Sequence, residues 1–238
     1  MGDQPLLLVH GAWHGAWCWR PLQQRLDALG IVSSAIDLPG HGSRPRAPWR
    51  VRWQDYIDAV CNAALAFATP PIVVGHSMGG GIITSVAALA PDAFAAMIYV
   101  AAFVPQPGES ILSLAKQGQP LEGARLNLLR GHVSMSPEAA GNTFFHDCPS
   151  ADHWASQIQP QPIRPTMKPT TGAVTKTPRY YVQCLRDRAI SPELQERMAM
   201  RAGIEQVHTL DCGHSPFLAR TEQLAAIIAE IREVVQSA

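Results

Sequence analysis

Short continuous runs of apolar residues alternate along the chain with stretches in which apolar residues recur at the spacing of a helix. A continuous run rich in branched residues is typical of a strand that is buried on both faces of a parallel sheet. Runs of this kind predict strands at residues 5–11, 32–37, 71–74, 96–103, 179–185 and 206–210.

Helical spacing fills the intervals between most of these runs. We expect helices at residues 21–29, 53–67, 82–90, 192–202 and 221–235. Gly30 is the expected stop of the first helix, and Ser191 with Pro192 is the expected start of the fourth. Alternating strands and helices predict the α/β class, with a mostly parallel, doubly wound sheet of about six strands. Functional groups in such sheets lie at the carboxyl ends of the strands.

The segment from residue 109 to residue 177 breaks this alternation. It is dense in proline and has no apolar run long enough for a central strand, although short helices are expected at residues 111–117, 137–145 and 151–157. A bare loop of this length is improbable in a compact domain. We therefore predict a small, mainly helical cap inserted after the fourth strand, so that residues 1–108 and 178–238 form the two parts of the core.

Composition narrows the class of protein. Hydrophobic residues make up 47% of the 238 residues and charged residues 16%, which allows a large core. Because the formal net charge is zero, no nucleic-acid partner is expected. The five cysteines are scattered without a C-x-x-C pair, which favours reduced thiols and a cytoplasmic location. Residues 1–5 carry no basic residue and the apolar run after them is too short to span a bilayer, so no membrane partner is expected. A homodimer is left open.

One turn carries the clearest chemical signal. Residues 75–79 read G-x-S-x-G and lie between a predicted strand and a predicted helix of small residues. In this setting a serine is held on a sharp, strained turn at the end of the sheet, and the glycines let strand and helix approach each other. Ser77 is therefore the predicted nucleophile, against the alternative of a chance match in a glycine-rich loop.

A serine nucleophile needs a base that activates it and a third group that orients the base. In the chain order Ser, Asp, His, Asp187 follows the predicted strand at residues 179–185, and His214 follows the strand at residues 206–210. We predict His214 as the base and Asp187 as the acid. The alternatives are a surface histidine, a surface ion pair between the aspartate and its flanking arginines, and Asp211 as the acid.

Acyl transfer also needs two donors for the oxyanion, each worth about 3–4 kcal/mol when it is removed. The backbone amide of Met78 is one, and we choose the amide of Ala12, in the loop after the first strand, as the other. His10 and His14 have the i, i+4 spacing of a metal pair on a helix, but Gly11 argues against a helix there and no third ligand is evident. We therefore predict no metal and no cofactor.

Four motifs resemble those of the α/β-hydrolase superfamily. They read VHGAWHGAWCW at residues 9–19, DLPGHG at 37–42, GHSMGG at 75–80 and GH at 213–214. The resemblance covers nearly the whole chain. Within the superfamily, the motifs most resemble the branch that contains plant methylesterases (including the salicylate-binding type), hydroxynitrile lyases and many bacterial carboxylesterases. It implies an α/β-hydrolase fold with a catalytic triad and an oxyanion hole at the residues already assigned: Ser77, His214, Asp187, Ala12 and Met78.

Two positions depart from the lyases of that branch. Those lyases carry threonine or asparagine after the first histidine, and some carry lysine directly after the catalytic histidine. This chain has Gly11 and Ser215 at these positions. Lyase chemistry therefore lacks its supports, whereas ester hydrolysis needs neither group.

We predict a serine carboxylesterase that cleaves small hydrophobic or aryl esters through an acyl-enzyme. The alternatives are a C–C lyase of the hydroxynitrile type, a hydrolase of lactones, amides or thioesters, and a non-catalytic receptor for a small ligand. The expected partner is a small-molecule ester, bound between the strand ends and the cap. The residues expected to line its site are Gly11, Trp13, Phe103 and Phe217 from the core, and Leu128, Leu129 and Trp154 from the cap.

Overall fold

Six parallel strands form the central sheet of the protein. Its computed structural model describes residues 4–172 and 176–237, so the expectations that extend to residues 1–3, 173–175 and 238 lie outside the described residues. In chain order the strands are β1 (Leu6–Val9), β2 (Ser33–Ile36), β3 (Ile72–His76), β4 (Ala96–Val100), β5 (Arg125–Asn127), β6 (His132–Ser134), β7 (Gln161–Pro162), β8 (Arg179–Cys184) and β9 (Gln206–Leu210). The helices are α1 (Arg20–Ala28), α2 (Trp53–Leu65), α3 (Met78–Leu89), α4 (Ile111–Ala115), α5 (Pro137–Phe144), α6 (Ala151–Ala155), α7 (Ile163–Thr166), α8 (Pro192–Arg201), α9 (Pro216–Ala219) and α10 (Thr221–Ser237).

The central sheet has the strand order β2-β1-β3-β4-β8-β9, and every neighbouring pair is parallel. The predicted α/β class with a parallel sheet is confirmed. β1, β3 and β4 are buried along their whole length because helices cover both faces. Along β1, Leu6 and Leu8 belong to one hydrophobic core, and Leu7 and Val9 belong to another. Successive side chains of a strand point to opposite faces, which explains the continuous apolar run.

The ends of several elements follow signals in the sequence. Gly30 has a φ of 72° just after α1, and the Ser191 hydroxyl accepts a hydrogen bond from the Leu194 amide at the start of α8. β4 ends at Val100, earlier than the predicted residue 103. The reason is that Ala101 has a φ of 43°, which lies outside the strand region.

The chain between β4 and β8 leaves the central sheet, and we call residues 101–172 and 176–178 the inserted segment. It contains α4 to α7, of which the first three lie where short helices were expected, and a small antiparallel sheet of order β5-β6-β7. The small sheet was not predicted, because its strands have only two or three residues and no apolar run. The division into a core and a cap at residues 109 and 177 stays a prediction. Among the described residues, no helix is both long and apolar enough to cross a bilayer.

Candidate active site

Ser77 lies on a strained turn between β3 and α3. Its backbone has a φ of 53° and a ψ of −121°, a combination that residues other than glycine rarely adopt. The neighbouring glycines permit this turn, since a Cβ on Gly75 would lie 3.0 Å from the backbone of Gly79, and a Cβ on Gly79 would lie 2.7 Å from the Val9 carbonyl oxygen. Ser77 is only 7% exposed, so the predicted strand, turn and helix place the serine inside a cavity.

Asp187 and His214 are joined by a buried hydrogen bond. The distance between His214 Nδ1 and Asp187 Oδ2 is 2.8 Å, and neither side chain is more than 1% exposed. The two residues follow the neighbouring strands β8 and β9, whose carboxyl ends bring the two loops together. A carboxylate on Nδ1 fixes the tautomer of a neutral ring, which leaves Nε2 free to accept a proton.

Other donors complete the surroundings of the Asp187 carboxylate. Oδ1 accepts hydrogen bonds from the backbone amides of Ala189 at 2.7 Å and Ile190 at 2.9 Å. Oδ2 accepts a second hydrogen bond, from Gln195 Nε2 at 2.9 Å. Gln195 is fully buried on α8, and no feature of the sequence had singled it out. These contacts leave the carboxylate one orientation, with Oδ2 directed at His214.

The alternatives to Asp187 as the partner of His214 do not hold. Arg186 Nε lies 2.8 Å from Asp211 Oδ1, and Arg188 donates a hydrogen bond to the carbonyl oxygen of Asn142. Among the described residues, neither arginine forms an ion pair with Asp187. The side chain of Asp211 is 75% exposed, so this second carboxylate is engaged at the surface.

Two backbone N–H groups beside Ser77 donate no hydrogen bond within the described residues. They belong to Ala12 and Met78, which line the same cavity as Ser77. Met78 is the first residue of α3, so its amide lies at the positive end of the helix. Gly11 is not part of the cavity wall. It lies behind the serine, where a Cβ on Gly11 would come within 2.6 Å of Ser77 Cβ. Gly11 therefore packs against Ser77 and is not among the residues that line the cavity; its contact with the substrate stays a prediction.

Trp13 attaches the loop after β1 to the inserted segment. Its amide donates a hydrogen bond to Gln161 Oε1 at 3.3 Å, and its indole Nε1 donates to the Val133 carbonyl oxygen at 3.0 Å. Its own carbonyl oxygen accepts from the Gln159 amide at 2.8 Å. A φ of 62° at this tryptophan adds strain that the three hydrogen bonds hold in place. We call residues 10–14 the β1 loop.

A cavity of about 370 Å³ opens beside Ser77. Trp13 and Phe103 line it as predicted, and most of its other walls are apolar: Met78, Ile111, Leu121, Val133, Phe144, Ile163 and Ile190. Within the described part of the chain, Lys116 is the one charged side chain in its lining. A larger depression of about 700 Å³ has Asp187 in its wall but not Ser77. We take the smaller, apolar cavity as the candidate substrate site because it contains the serine.

Four other residues that were predicted to line this cavity lie elsewhere. Leu128 and Leu129 are 78% and 98% exposed, since they occupy the turn between β5 and β6. Trp154 stacks on Trp17, with ring centroids 6.0 Å apart, outside the cavity. Phe217 is fully buried in the core cluster on one face of the sheet. These four predictions are wrong.

Four buried histidines surround the strand ends. Burial lowers the pKa of His10 and of His14 to about 3 and the pKa of His41 to about 4, and it also lowers the pKa of His76. The Nδ1 atoms of the first two bond to carbonyl oxygens of the β1 loop, and residues 10–14 are not helical, so the two rings do not have the i, i+4 geometry of a helical pair. His76 Nε2 lies 2.9 Å from the carbonyl oxygen of His214 and ties the β3 turn to the loop after β9.

Comparison with known proteins places this geometry in a family. The model of the α/β-hydrolase family matches residues 6–227. Methylesterase 18 of Arabidopsis thaliana is 29% identical over 252 residues, covering 94% of this chain and 95% of the relative. Putative methylesterase 14, chloroplastic, of the same plant is 29% identical over 252 residues, covering 96% and 72%. Esterase PIR7B of Oryza sativa subsp. japonica is 26% identical over 252 residues, covering 94% of each chain.

Solved structures share the architecture over nearly the full length. The pyrethroid hydrolase PytH, in a structure with BIF, is 25% identical with a TM-score of 0.86, and the match covers 98% of each chain. The methylesterase MES16 from Arabidopsis is 25% identical with a TM-score of 0.82, covering 97% of this chain and 99% of that one. Polyneuridine aldehyde esterase, at 18% identity and a TM-score of 0.85, covering 97% and 99%, shares the fold.

Proposed function

The chain belongs to the α/β-hydrolase family, and we propose that it is a carboxylic ester hydrolase with Ser77 as nucleophile, His214 as general base and Asp187 as the acid that orients the base. One observation carries the proposal: the buried 2.8 Å hydrogen bond between His214 Nδ1 and Asp187 Oδ2, at the same end of the sheet as the strained serine turn. The esterases and methylesterases among the similar proteins support the same chemistry.

The proposed reaction has two halves. His214 Nε2 takes the proton of Ser77 while the serine Oγ attacks the ester carbonyl, and the amides of Ala12 and Met78 donate hydrogen bonds to the oxyanion. His214 then gives its proton to the leaving alcohol, and an acyl-enzyme remains. Water repeats the sequence on the acyl-enzyme and releases the acid. Asp187 holds the imidazole in the required tautomer and stabilises the imidazolium.

The proposed substrates are esters with an apolar acyl or alcohol group. The aromatic and aliphatic walls of the 370 Å³ cavity support this class, since sites of this size bind ligands mainly through apolar contacts. The similar proteins include one named as a methylesterase and one named as a pyrethroid hydrolase. Lactones, amides and thioesters share the triad chemistry and belong in the same substrate panel. A cytoplasmic location stays a prediction, as does the homodimer.

Lyase chemistry finds no support at the two positions where the branch would supply it. Gly11 has no side chain, and a Cβ there would press on Ser77. Ser215 is fully buried, and its hydroxyl has no hydrogen-bond partner among the described residues. The lyases of this branch use a polar side chain at the first position and, in some of them, a cation at the second; this chain has no polar side chain at Gly11 and no cation at Ser215.

A panel of p-nitrophenyl esters with acetyl, butyryl and benzoyl groups, run beside mandelonitrile, tests the proposal. Wild-type protein should hydrolyse the esters, and Ser77→Ala should lower kcat by at least about 10³-fold. Ser156→Ala, an exposed serine of the inserted segment, is the matched control and should leave the rate unchanged. Full turnover by Ser77→Ala, or cyanide release without ester hydrolysis, would contradict the proposal.

A further inference from the structure

Exposed apolar side chains gather on one part of the inserted segment and on the loop that precedes α2. Five large side chains there are more than half exposed: Trp49 (56%), Leu126 (54%), Leu128 (78%), Leu129 (98%) and Met167 (56%). A concentration of this kind, in contrast to isolated surface leucines, marks a binding surface.

The elements that carry these side chains are neighbours in space. Gly131 closes the turn between β5 and β6 and lies against Trp49, so that a Cβ on the glycine would be 3.3 Å from the tryptophan Cα. The Gly131 carbonyl oxygen also accepts a hydrogen bond from the Ile163 amide, at the first residue of α7. The short 3-10 helix at Pro48–Arg50 packs against α7 and β7. Loop, hairpin and helix therefore form one surface.

Five cations share this surface, and the nearest acidic residues along the chain are Asp55, Glu122 and Glu138, which flank its segments. The cations are Arg50, Arg125, Arg130, Arg164 and Lys168, all exposed. Within the described residues none of them forms an ion pair. The segments at residues 43–54, 123–137 and 157–172 contain no aspartate and no glutamate. The zero net charge of the chain therefore conceals a local excess of positive charge. We call these five cations and the five apolar side chains the basic–apolar patch.

We propose that the basic–apolar patch docks the protein on an anionic lipid surface. Leucine side chains at the tip of a hairpin can enter the headgroup region, a tryptophan ring suits the boundary between water and lipid, and arginines beside them attract anionic headgroups. Peripheral binding of this kind needs no membrane-spanning helix. The expectation of no membrane partner was drawn from the missing basic residues at positions 1–5 and the short apolar run, which bear on insertion into a bilayer and not on peripheral binding.

Two other occupants fit the patch less well. A second copy of the chain in a two-fold dimer would bring the same patch to both sides of the interface and set like charges against each other. A nucleic acid would satisfy the cations, but Leu128 and Leu129 would have no role, because phosphate contacts use polar and charged groups. An anionic lipid surface uses both halves of the patch.

The same elements line the candidate substrate cavity with their inner side chains. Val133 on β6, Gln161 on β7 and Ile163 on α7 belong to the cavity wall. Leu126 pairs with Val133 and shares its inner face, whereas Arg125 lies on the outer face of the hairpin, and Leu128 and Leu129 at its tip are outside the cavity lining. An apolar ester dissolved in a lipid layer would meet the cavity close to the docking surface. This consequence rests on the proposed ester hydrolysis, whereas the docking itself does not.

Sedimentation with vesicles tests the docking. Vesicles of phosphatidylcholine with about 30% phosphatidylserine should bind the protein at least about tenfold more tightly than phosphatidylcholine alone at an ionic strength of about 0.1 M, and about 1 M salt should abolish the difference. Arg125→Gln with Arg130→Gln should weaken binding by about tenfold or more. Leu128→Ser with Leu129→Ser should weaken it about tenfold as well; Leu129→Ser alone replaces this pair if the pair does not fold.

Two matched controls lie away from the patch. Leu89→Ser changes an exposed leucine at the far end of α3, and Arg197→Gln changes an exposed arginine on α8; both should bind like wild type. Ser77→Ala should also bind like wild type, which separates docking from ester hydrolysis. Equal binding to both vesicle types would overturn the proposal. So would a dimer in light scattering that Leu129→Ser converts to a monomer without vesicle binding, or oligonucleotide binding that is tighter than vesicle binding and insensitive to the leucines.

Discussion

The strand-end loops and the inserted segment both border the candidate substrate cavity, but different contacts hold them in place. Ser77 directly follows β3, and Asp187 and His214 lie in the loops that follow β8 and β9, so the parallel register brings all three to one edge. The inserted segment contributes no strand to that sheet. Packing of side chains such as Phe144 and Phe145 against the core and individual long-range hydrogen bonds place it. Register is specified by every residue of a buried strand, whereas a wall made by an insertion depends on a few long-range contacts.

The β1 loop belongs to both regions. It leaves the end of β1, as the proposed catalytic residues leave their strands, yet the amide, carbonyl and indole of Trp13 all bond to the inserted segment. The peptide between Ala12 and Trp13 is held at its oxygen by His14 at 2.7 Å and at its amide by Gln161. The position of one proposed oxyanion donor, the Ala12 amide, therefore depends on an element outside the central sheet, while the position of the Met78 amide depends only on α3.

Asp187→Asn should have the largest effect, because it acts where the strand-end arrangement is most constrained. Oδ1 faces two backbone amides and Oδ2 faces His214 Nδ1 and Gln195 Nε2, so an asparagine NH₂ meets donors in either orientation. With the NH₂ at the Oδ2 position, the imidazole must accept at Nδ1 and carries its proton on the wrong nitrogen. We expect kcat to fall by about 10³–10⁴-fold, measured on p-nitrophenyl acetate.

Asp211→Asn is the control for that variant. This carboxylate lies in the loop of His214, but its side chain is 75% exposed and bonds to Arg186, so its loss should change kcat less than about twofold. If Asp211→Asn instead lost the activity and Asp187→Asn kept it, the buried pair would have no catalytic role.

The catalytic candidates could be found from the sequence for the same reason that they are rigid. Each one follows an apolar run whose strand identity is clear, and chain order does the rest. Gln195 and Gln161 could not be found in this way, since they are uncharged residues whose partners lie 8 and 148 positions away. Nothing local distinguishes them from surface glutamines.

The cavity walls show where the inference from apolar character fails. Leu128 and Leu129 were predicted to line the cavity because they are apolar residues in the inserted segment. They occupy a tight turn between two three-residue strands, where no periodicity tells which side faces the core. Trp13 and Phe103, which lie next to the ends of β1 and β4, do line the cavity.

The next largest expected effect is a loss of stability of the strand-end region in acid. Burial lowers the pKa of His10 and His14 to about 3 and of His41 to about 4, from an ordinary value of 6.5. Between about pH 4 and 6.5 the unfolded chain binds protons that the folded chain does not, so the free energy of unfolding falls as the pH falls. The contribution of these three histidines to the free energy of unfolding is at its full value above pH 6.5. Three protons set an upper slope of about 4 kcal/mol per pH unit.

Urea denaturation at pH 7.5, 6, 5 and 4.5 measures this slope. His41→Gln keeps a donor for Gln161 and removes one of the titrating groups, so the slope should decrease by up to about 1.4 kcal/mol per pH unit. A free energy of unfolding that stays constant from pH 7.5 to 4.5 would show that the buried rings do not limit stability in acid.

Gly11→Ala tests how tightly the β1 loop packs against Ser77, the proposed nucleophile. The added Cβ would lie 2.6 Å from Ser77 Cβ and 3.2 Å from the His76 carbonyl oxygen, so the loop or the serine must move. We expect kcat to fall by about 10²-fold, since displacement by about 1 Å costs this much. Gly30→Ala is the control: it also substitutes a glycine, with nothing within 4 Å of the new Cβ, and should lower stability by about 1 kcal/mol without changing kcat. Equal rates for Gly11→Ala and wild type would show that the serine does not need this approach.

Gln161→Met should have the smallest effect on activity, and it tests whether the inserted segment positions the β1 loop or only covers it. Gln161 is buried, its Oε1 accepts from the Trp13 amide and lies 3.1 Å from His41 Nε2, and its Nε2 donates to the Pro162 carbonyl oxygen. Methionine fills the same volume but offers the Trp13 amide no comparable acceptor. We expect kcat to fall about tenfold while KM changes less than about threefold, since the shifted donor serves the transition state.

The division between kcat and KM decides between the two roles of the inserted segment. Gln157→Met, at an exposed position of the same segment, should match wild type in both constants. A raised KM with an unchanged kcat in Gln161→Met would make Gln161 a wall of the cavity and nothing more. Hydrogen exchange supplies a readout that does not depend on turnover: the Trp13 amide should exchange faster in Gln161→Met than in Gln157→Met, because its acceptor is gone. An unchanged exchange rate would mean that the strained loop holds its shape without the inserted segment, and the strand-end region would then be independent of it.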